Sequence, residues 1–146
     1  MSAYTSYSTH ETRTIGKELA RTLTGGDIII LKGELGAGKT AFTKGIAEGL
    51  GVKNEVTSPT FTLMSVYQVP NHETIKEMVH VDTYRLNTFE EILEIGIEEY
   101  LGKQDTLMII EWPEKVDKLL DNKKLIVVAI KQENETERTI TIETRW

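Results

Sequence analysis

The stretch from Gly33 to Thr40 has the residue types and spacing needed to hold phosphate. It reads GELGAGKT, the pattern G-x-x-x-x-G-K-[ST], between a predicted strand and a predicted helix. The glycines let the backbone curl so that N–H groups face an anion, and the helix adds its positive N-terminal end. Lys39 then reaches the β- and γ-phosphates, and the Thr40 hydroxyl ligates Mg²⁺. The alternative, a glycine-rich turn with an exposed lysine, is disfavoured by this context. The pattern predicts a nucleotide site made by Gly33, Glu34, Leu35, Gly36, Ala37, Gly38, Lys39 and Thr40.

Two acidic residues at the ends of apolar strands can complete such a site. Glu111 ends the run LMIIE, and Asp82 follows the run MVHV. A nucleotide hydrolase of this kind needs a carboxylate at the end of a neighbouring strand to hold the metal. We expect Glu111 to hold Mg²⁺ with Thr40, and Asp82 to orient the attacking water or to hold the metal through water. For each acid the alternative is a strand-end carboxylate that binds no ligand.

Three nearby features have both a structural and a functional interpretation. His80 shares a strand face with Asp82 and is interpreted as a packed, hydrogen-bonded residue rather than a base. Arg85 can form a salt bridge or reach a phosphate, and it is the one arginine of this chain that we expect near the phosphates. Residues 56–63, VTSPTFTL, have the position and hydroxyl groups of a γ-phosphate switch, and equally the composition of an ordinary loop.

Strands and helices that alternate along the chain must position these residues. The apolar spacing predicts helices over 9–23, 39–51, 88–102 and 113–120, with Thr9 or Thr12 as the cap of the first. Strands are predicted at 27–33 and 105–112, with antiparallel hairpins at 62–84 and 124–145, the second turning at 132–136. The expected fold class is α/β, a single P-loop NTPase domain over residues 1–146 with a mixed, partly antiparallel sheet flanked by helices.

Composition narrows the class of protein further. The chain has no cysteine, no apolar run near ~18 residues and no basic apolar leader, so we expect a cytoplasmic protein without a membrane partner. Its net charge of −6 argues against a broad nucleic-acid-binding face, so any RNA connection is expected to be indirect. The GTPase motifs N-K-x-D and D-x-x-G are absent. A small P-loop kinase and a nucleotide-sensing module without turnover stay as alternatives, although none of the five arginines lies in a lid-sized insertion.

Five motifs together resemble one family. GELGAGKT, TSPTFTL, HVDTYRL, EILEIGIEEYL and IIEWPEKV occur in the order found in the bacterial TsaE (YjeE-type) ATPases, and the resemblance covers nearly the whole chain. It implies a compact P-loop fold, ATP hydrolysis with Mg²⁺, and action through a complex with TsaB- and TsaD-type proteins. The proteins of this family act in making the threonylcarbamoyl modification of the adenosine beside the tRNA anticodon.

The resemblance also implies roles for single residues. The metal residues of the family correspond to Thr40 and Glu111, its essential aspartate to Asp82, and its tryptophan to Trp112. A looser match near the chain ends puts three more residues at the adenine side of the nucleotide: Thr9, Thr12 and Arg138. Because no arginine is adjacent in sequence to the P-loop or to TSPT, Arg85 is the one arginine of this chain expected near the phosphates, and we expect slow turnover until a partner completes the site.

Overall fold

Seven strands and four α-helices are present in the parts of the chain that the structure, a computed structural model, describes: residues 1–34, 36–57, 64–83, 89–94, 96–111 and 117–145. The strands are β1 (Ser2–Ser6), β2 (Ile28–Lys32), β3 (Met64–Gln68), β4 (Glu77–Asp82), β5 (Thr106–Glu111), β6 (Leu125–Gln132) and β7 (Arg138–Arg145). The helices are α1 (Thr9–Ala20), α2 (Lys39–Leu50), α3 (Phe89–Glu94) and α4 (Asp117–Leu120), with a 3₁₀ turn at Ile97–Glu99. None of the described helices is long and apolar enough to cross a membrane.

One mixed sheet contains all seven strands, in the order β1-β7-β6-β2-β5-β4-β3. The four strands β6, β2, β5 and β4 are parallel neighbours, whereas β1, β7 and β3 pair antiparallel at the two sides. The central strands are continuous apolar runs because both faces of the sheet are covered, and every residue of β5 is buried. The predicted α/β class with a mixed, partly antiparallel sheet is confirmed.

Helices α1 and α2 pack so closely that the backbone of each helix approaches glycines of the other. A Cβ on Gly45 would lie 2.0 Å from the carbonyl oxygen of Arg13, and one on Gly16 would lie 2.4 Å from that of Phe42. Only glycine permits this approach. The apolar side of α2, with Phe42 and Ile46 fully buried, belongs to the same core as β2 and β5. This packing brings the N-terminus of α1 to the start of α2.

Several predicted boundaries are confirmed, and others need correction. Helix α2 ends at Gly51 as predicted, with φ 78°, and both antiparallel hairpins are present. The first helix ends at Ala20, three residues earlier than predicted. Its N-cap is Ser8 rather than Thr9 or Thr12, and the Ser8 Oγ accepts a hydrogen bond from the Glu11 N–H at 3.0 Å. The turn of the last hairpin lies at 133–137, between Gln132 and Arg138, one residue later than predicted.

Two further predicted helices match the structure only in part. The helix expected over 88–102 is interrupted, because Gly96 has φ 82° and separates α3 from the 3₁₀ turn. Of the helix expected over 113–120, the structure has Asp117–Leu120, while 113–116 lie outside the described residues. Strand β1 was not predicted at all, because its sequence SAYTS is polar and four of its five residues are exposed.

Candidate functional site

The loop between β2 and α2 has a backbone path that depends on glycine. Gly36 and Gly38 have φ of 82° and 111°, the left-handed region that other residues rarely adopt. A Cβ on Gly33 would lie 2.8 Å from the carbonyl oxygen of Ile130. The N–H of Ala37 donates to the Glu34 carbonyl at 3.0 Å and tightens the turn. The described part of the loop therefore forms a tight turn that depends on glycine, and Leu35 lies outside the described residues.

The Lys39 ammonium is buried and turned back on this loop. The residue is 6% exposed, and its Nζ donates to the Gly33 carbonyl at 2.7 Å. The same Nζ lies 3.9 Å from Oε1 of Glu111. The first turn of α2 therefore presents a positive charge directly to the acid at the end of β5.

The two acids that end β4 and β5 lie side by side. In the parallel register Asp82 pairs with Glu111, so both side chains project from the same face of the sheet. Thr83 ties the strand ends together: its N–H and its Oγ1 both donate to the Glu111 carbonyl, at 3.3 and 2.9 Å. Asp82 is half-buried, and Glu111 is only 4% exposed. The sheet thus fixes two carboxyl groups at the edge that faces the N-terminus of α2.

His80 is packed and hydrogen-bonded, as interpreted from the sequence, but its partner was not foreseen. Its Nε2 lies 2.7 Å from Oε2 of Glu111, and the residue is fully buried. Its Nδ1 has no hydrogen-bond partner within the described part of the chain. The one signal in the sequence was the two-residue spacing from Asp82, and only the pairing of β4 with β5 turns that spacing into a contact with Glu111.

Lys39, Asp82 and Glu111, but not His80, line one pocket of about 280 Å³. It brings together residues from the loop, α1, α2, β4, β5 and β7, many of them far apart in the chain. Gly33, Glu34 and Ala37 belong to the loop but do not line the pocket. The lining consists of Thr9, Thr12, Gly36, Gly38, Lys39, Thr40, Ala41, Asp82, Glu111 and Arg138.

Arg138 reaches the loop from the last hairpin. Its Nε donates to the Ala37 carbonyl at 3.0 Å, and its Nη1 donates to the Glu135 carbonyl at 3.4 Å. The expectation that no arginine except Arg85 lies near the phosphate-site loop is therefore wrong, because β7 returns across the sheet and brings Arg138, which the resemblance put at the adenine side, to a loop 101 positions earlier in the chain. Arg85 itself lies outside the described residues.

Thr12, on α1, also lines the pocket. Its Oγ1 shares a 2.7 Å hydrogen bond with Oγ of Ser6, at the end of β1. Its methyl carbon lies 3.6 Å from the position that a Cβ on Gly38 would take. Its hydroxyl is thus committed to β1, and its methyl group shapes the wall of the pocket beside the loop.

The donor set suits Mg²⁺ bound together with a nucleotide. Within the described residues no group of three or more histidine, aspartate or glutamate side chains could hold a metal ion by itself. Mg²⁺ commonly takes one or two protein oxygens and completes its shell with phosphate and water. The Thr40 hydroxyl and the carboxylates of Asp82 and Glu111 are hard oxygen ligands that line the same pocket. The residues therefore fit the ion that the sequence predicts.

Two predicted features fall outside the described residues. Of the possible switch at 56–63, only residues 56 and 57 are described. Trp112 is also outside this range.

Known proteins resemble this chain along most of its length. Residues 6–140 match the family described as threonylcarbamoyl adenosine biosynthesis protein TsaE. The Bacillus subtilis tRNA threonylcarbamoyladenosine biosynthesis protein TsaE is 39% identical over 131 residues, covering 90% of this chain and 78% of that protein. The protein of the same name from Rickettsia typhi is 38% identical, covering 90% and 95%. The crystal structure of Bacillus subtilis YdiB matches with a TM-score of 0.77 and 33% identity, covering 98% of this chain and 84% of that one.

Proposed function

This chain belongs to the TsaE family of threonylcarbamoyl adenosine biosynthesis proteins, and we propose that it is a magnesium-dependent ATPase that supports threonylcarbamoylation of the adenosine beside the tRNA anticodon. The observation that carries the proposal is the shared pocket. A glycine-dependent loop, the first turn of α2 and the acids that end β4 and β5 all border it. A phosphate cradle, a lysine and carboxylates that can hold Mg²⁺ or orient the nucleophile are recurring parts of sites for phosphoryl transfer from a nucleotide.

The loop and the start of α2 would hold the phosphates of ATP. Their backbone N–H groups and the positive helix end would attract the anion, and Lys39, which donates to the Gly33 carbonyl, would donate to phosphate oxygens instead. Thr40 and Glu111 would hold Mg²⁺. Bound ATP supplies the phosphoanhydride bond, and Mg²⁺ neutralises its charge. Asp82, beside Glu111 in the register, would orient the attacking water.

The partners in this proposal are TsaB- and TsaD-type proteins. The family name places these relatives in tRNA modification, and we propose that this chain acts on a complex of the two rather than on tRNA directly. The net charge of −6 would repel tRNA phosphates, so contact with the tRNA would pass through the partners. Exposed acids at Glu94, Glu98 and Glu99 can steer a basic partner. The lack of cysteine fits the cytoplasm as the site of this work.

The test is ATP turnover by the protein alone and with the TsaB–TsaD complex. We expect slow turnover alone and an increase of about tenfold or more with the complex, because a partner can supply an arginine or order a loop at such a site. Lys39→Ala should abolish turnover in both conditions and weaken nucleotide binding. Lys44→Ala is the matched control, because this lysine lies in the same helix but does not line the pocket.

Three outcomes would contradict parts of the proposal. Unchanged binding and turnover in Lys39→Ala would reject the phosphate site. Full-speed turnover alone, unaltered by the complex, would reject partner activation and favour a small kinase. Nucleotide binding without turnover in every combination would favour a sensing module.

A further inference from the structure

We propose that His80 is a positioning residue for Glu111: it holds one carboxylate oxygen so that the other faces the phosphate pocket and the metal. The inference rests on the proposed function and adds a residue to it. His80 does not line the pocket, so its effect would pass through Glu111.

The Glu111 carboxylate is buried and therefore needs partners that hold it. Glu111 is 4% exposed, and a carboxylate taken out of water needs hydrogen-bond donors or cations to compensate for its lost hydration. Its two oxygens have different surroundings. Oε2 lies 2.7 Å from Nε2 of His80, whereas Oε1 lies 3.9 Å from the Lys39 ammonium at the pocket. The close contact is therefore on the side of the sheet interior, and the looser one is on the side of the ligand.

The hydrogen bond to Glu111 also determines which imidazole nitrogen is the donor. An ionised carboxylate only accepts, so Nε2 of His80 must donate. In the neutral ring Nδ1 is then an acceptor, and within the described residues this buried nitrogen has no partner. An unsatisfied buried acceptor costs free energy that an apolar residue of similar size would not cost. The bond to Glu111 is the physical reason for a histidine here.

Strand register explains how His80 reaches its partner. Asp82 is directly opposite Glu111, and His80 is opposite Ile109, so His80 and Glu111 are diagonal neighbours on one face. Diagonal neighbours are within reach of long and aromatic side chains. The imidazole thus approaches Glu111 from the buried side, and Asp82 flanks it at the rim. Removing the donor would free the carboxylate to rotate away from the metal position.

The experiment measures binding of a non-hydrolysable ATP analogue with and without Mg²⁺, in addition to turnover. Loss of a hydrogen-bond partner behind a metal ligand typically weakens metal affinity about 10–100-fold, so we expect the apparent Mg²⁺ affinity of His80→Leu to be at least about tenfold weaker than that of the wild type. Binding without Mg²⁺ should stay as in the wild type. His80→Gln, whose amide can donate from a similar position, should restore most of the Mg²⁺ affinity.

Met78→Ala is the matched control. Met78 is fully buried two residues earlier on the same strand face and has no bond to Glu111. This variant should lose stability but keep the wild-type Mg²⁺ dependence. Adding His80→Leu to Glu111→Gln should cause little further loss, because the two changes remove one interaction. Should His80→Leu fail to fold, His80→Phe keeps a ring without a donor and replaces it.

The outcomes separate this inference from the proposed function. Wild-type Mg²⁺ affinity in a folded His80→Leu or His80→Phe protein would overturn the role of His80. So would failure of His80→Gln to restore affinity, or fully additive effects with Glu111→Gln. If the wild type itself shows no Mg²⁺-dependent binding and Glu111→Gln changes nothing, the proposed function fails instead.

Discussion

Two glutamates in this protein each lie between two basic side chains, and they differ in their exposure to water. Glu111 lies between His80 and Lys39, and its side chain is 5% exposed. Glu48 on α2 bonds Arg13 at 2.9 Å and lies 3.6 Å from Lys17, both on α1, and its side chain is 44% exposed. The two clusters contain similar groups at similar distances.

The difference in burial indicates different roles for the two clusters. A solvated ion pair contributes little to stability, because water and salt screen it and both side chains lose freedom. A buried carboxylate costs free energy unless it is fully paired, so its presence calls for an explanation beyond stability. The cluster around Glu111 borders the pocket and is the candidate for chemistry, whereas the cluster around Glu48 joins two helix surfaces.

The largest expected effect separates the two glutamates directly. Glu111→Gln keeps the shape of the side chain but removes the charge that would hold Mg²⁺. Because a bound metal supplies several kcal/mol to phosphoryl transfer, turnover with partners should fall about a hundredfold or more. Glu48→Gln should retain wild-type turnover. Equal losses in both variants, measured as kcat at saturating Mg²⁺, would show that burial does not distinguish the two clusters.

A second substitution sharpens the role of the neighbouring acid. Asp82→Asn should leave nucleotide and Mg²⁺ affinity close to wild type while slowing hydrolysis about a hundredfold, the scale of a lost acid–base group. Equilibrium binding and single-turnover rates measure the two quantities separately. A loss of Mg²⁺ affinity as severe as that of Glu111→Gln would make Asp82 a direct metal ligand.

A third substitution tests what holds α1 against α2. Gly45→Ala would place a Cβ 2.0 Å from the Arg13 carbonyl, so the helices must separate. We expect a loss of about 1–3 kcal/mol in the free energy of unfolding, only partly offset by the better helix propensity of alanine. Nucleotide binding should weaken too, because Thr9 and Thr12 on α1 line the pocket.

The control for this test is Arg13→Ala, which removes the exposed ion pair and leaves the close backbone approach intact. It should change the free energy of unfolding by less than about 1 kcal/mol. A greater loss in Arg13→Ala than in Gly45→Ala, both measured by urea unfolding, would mean that the ion pair holds the helices together.

The smallest expected effect is the pH dependence of the stability that the cluster around Glu48 contributes. The hydrogen bond from Arg13 lowers the pKa of Glu48 from its ordinary value, with the charge of Lys17 adding to it. A lowered folded-state pKa means that the stabilisation is fully present above the unfolded-state pKa and is lost as the pH falls through the folded-state pKa. The Tm of the wild type should exceed that of Glu48→Gln slightly at neutral pH, and the gap should close in acid. A gap that widens in acid would contradict this sign.

The sequence predicted the central elements well because their signals are local. The apolar run of β2, the glycine at the end of α2 and the two hairpins each appear within a few residues. The failures have a different origin. Strand β1 forms only because β7 offers it an edge to pair with, and the helix over 88–102 breaks because Gly96 adopts a positive φ that the apolar spacing does not reveal.

The sequence by itself determined the glycine-dependent loop between β2 and α2 and the fold class, because glycine spacing and the strand-to-helix junction act over a few residues. The roles of Lys39, Thr40, Asp82 and Glu111 stay predictions. Only the tertiary structure decided which distant groups surround them. The bonds from Arg138 to the loop and from His80 to Glu111 depend on the order and register of seven strands. That order depends on which apolar faces of the helices and strands can be buried against each other. This depends on the whole chain, so no short stretch of sequence reveals it.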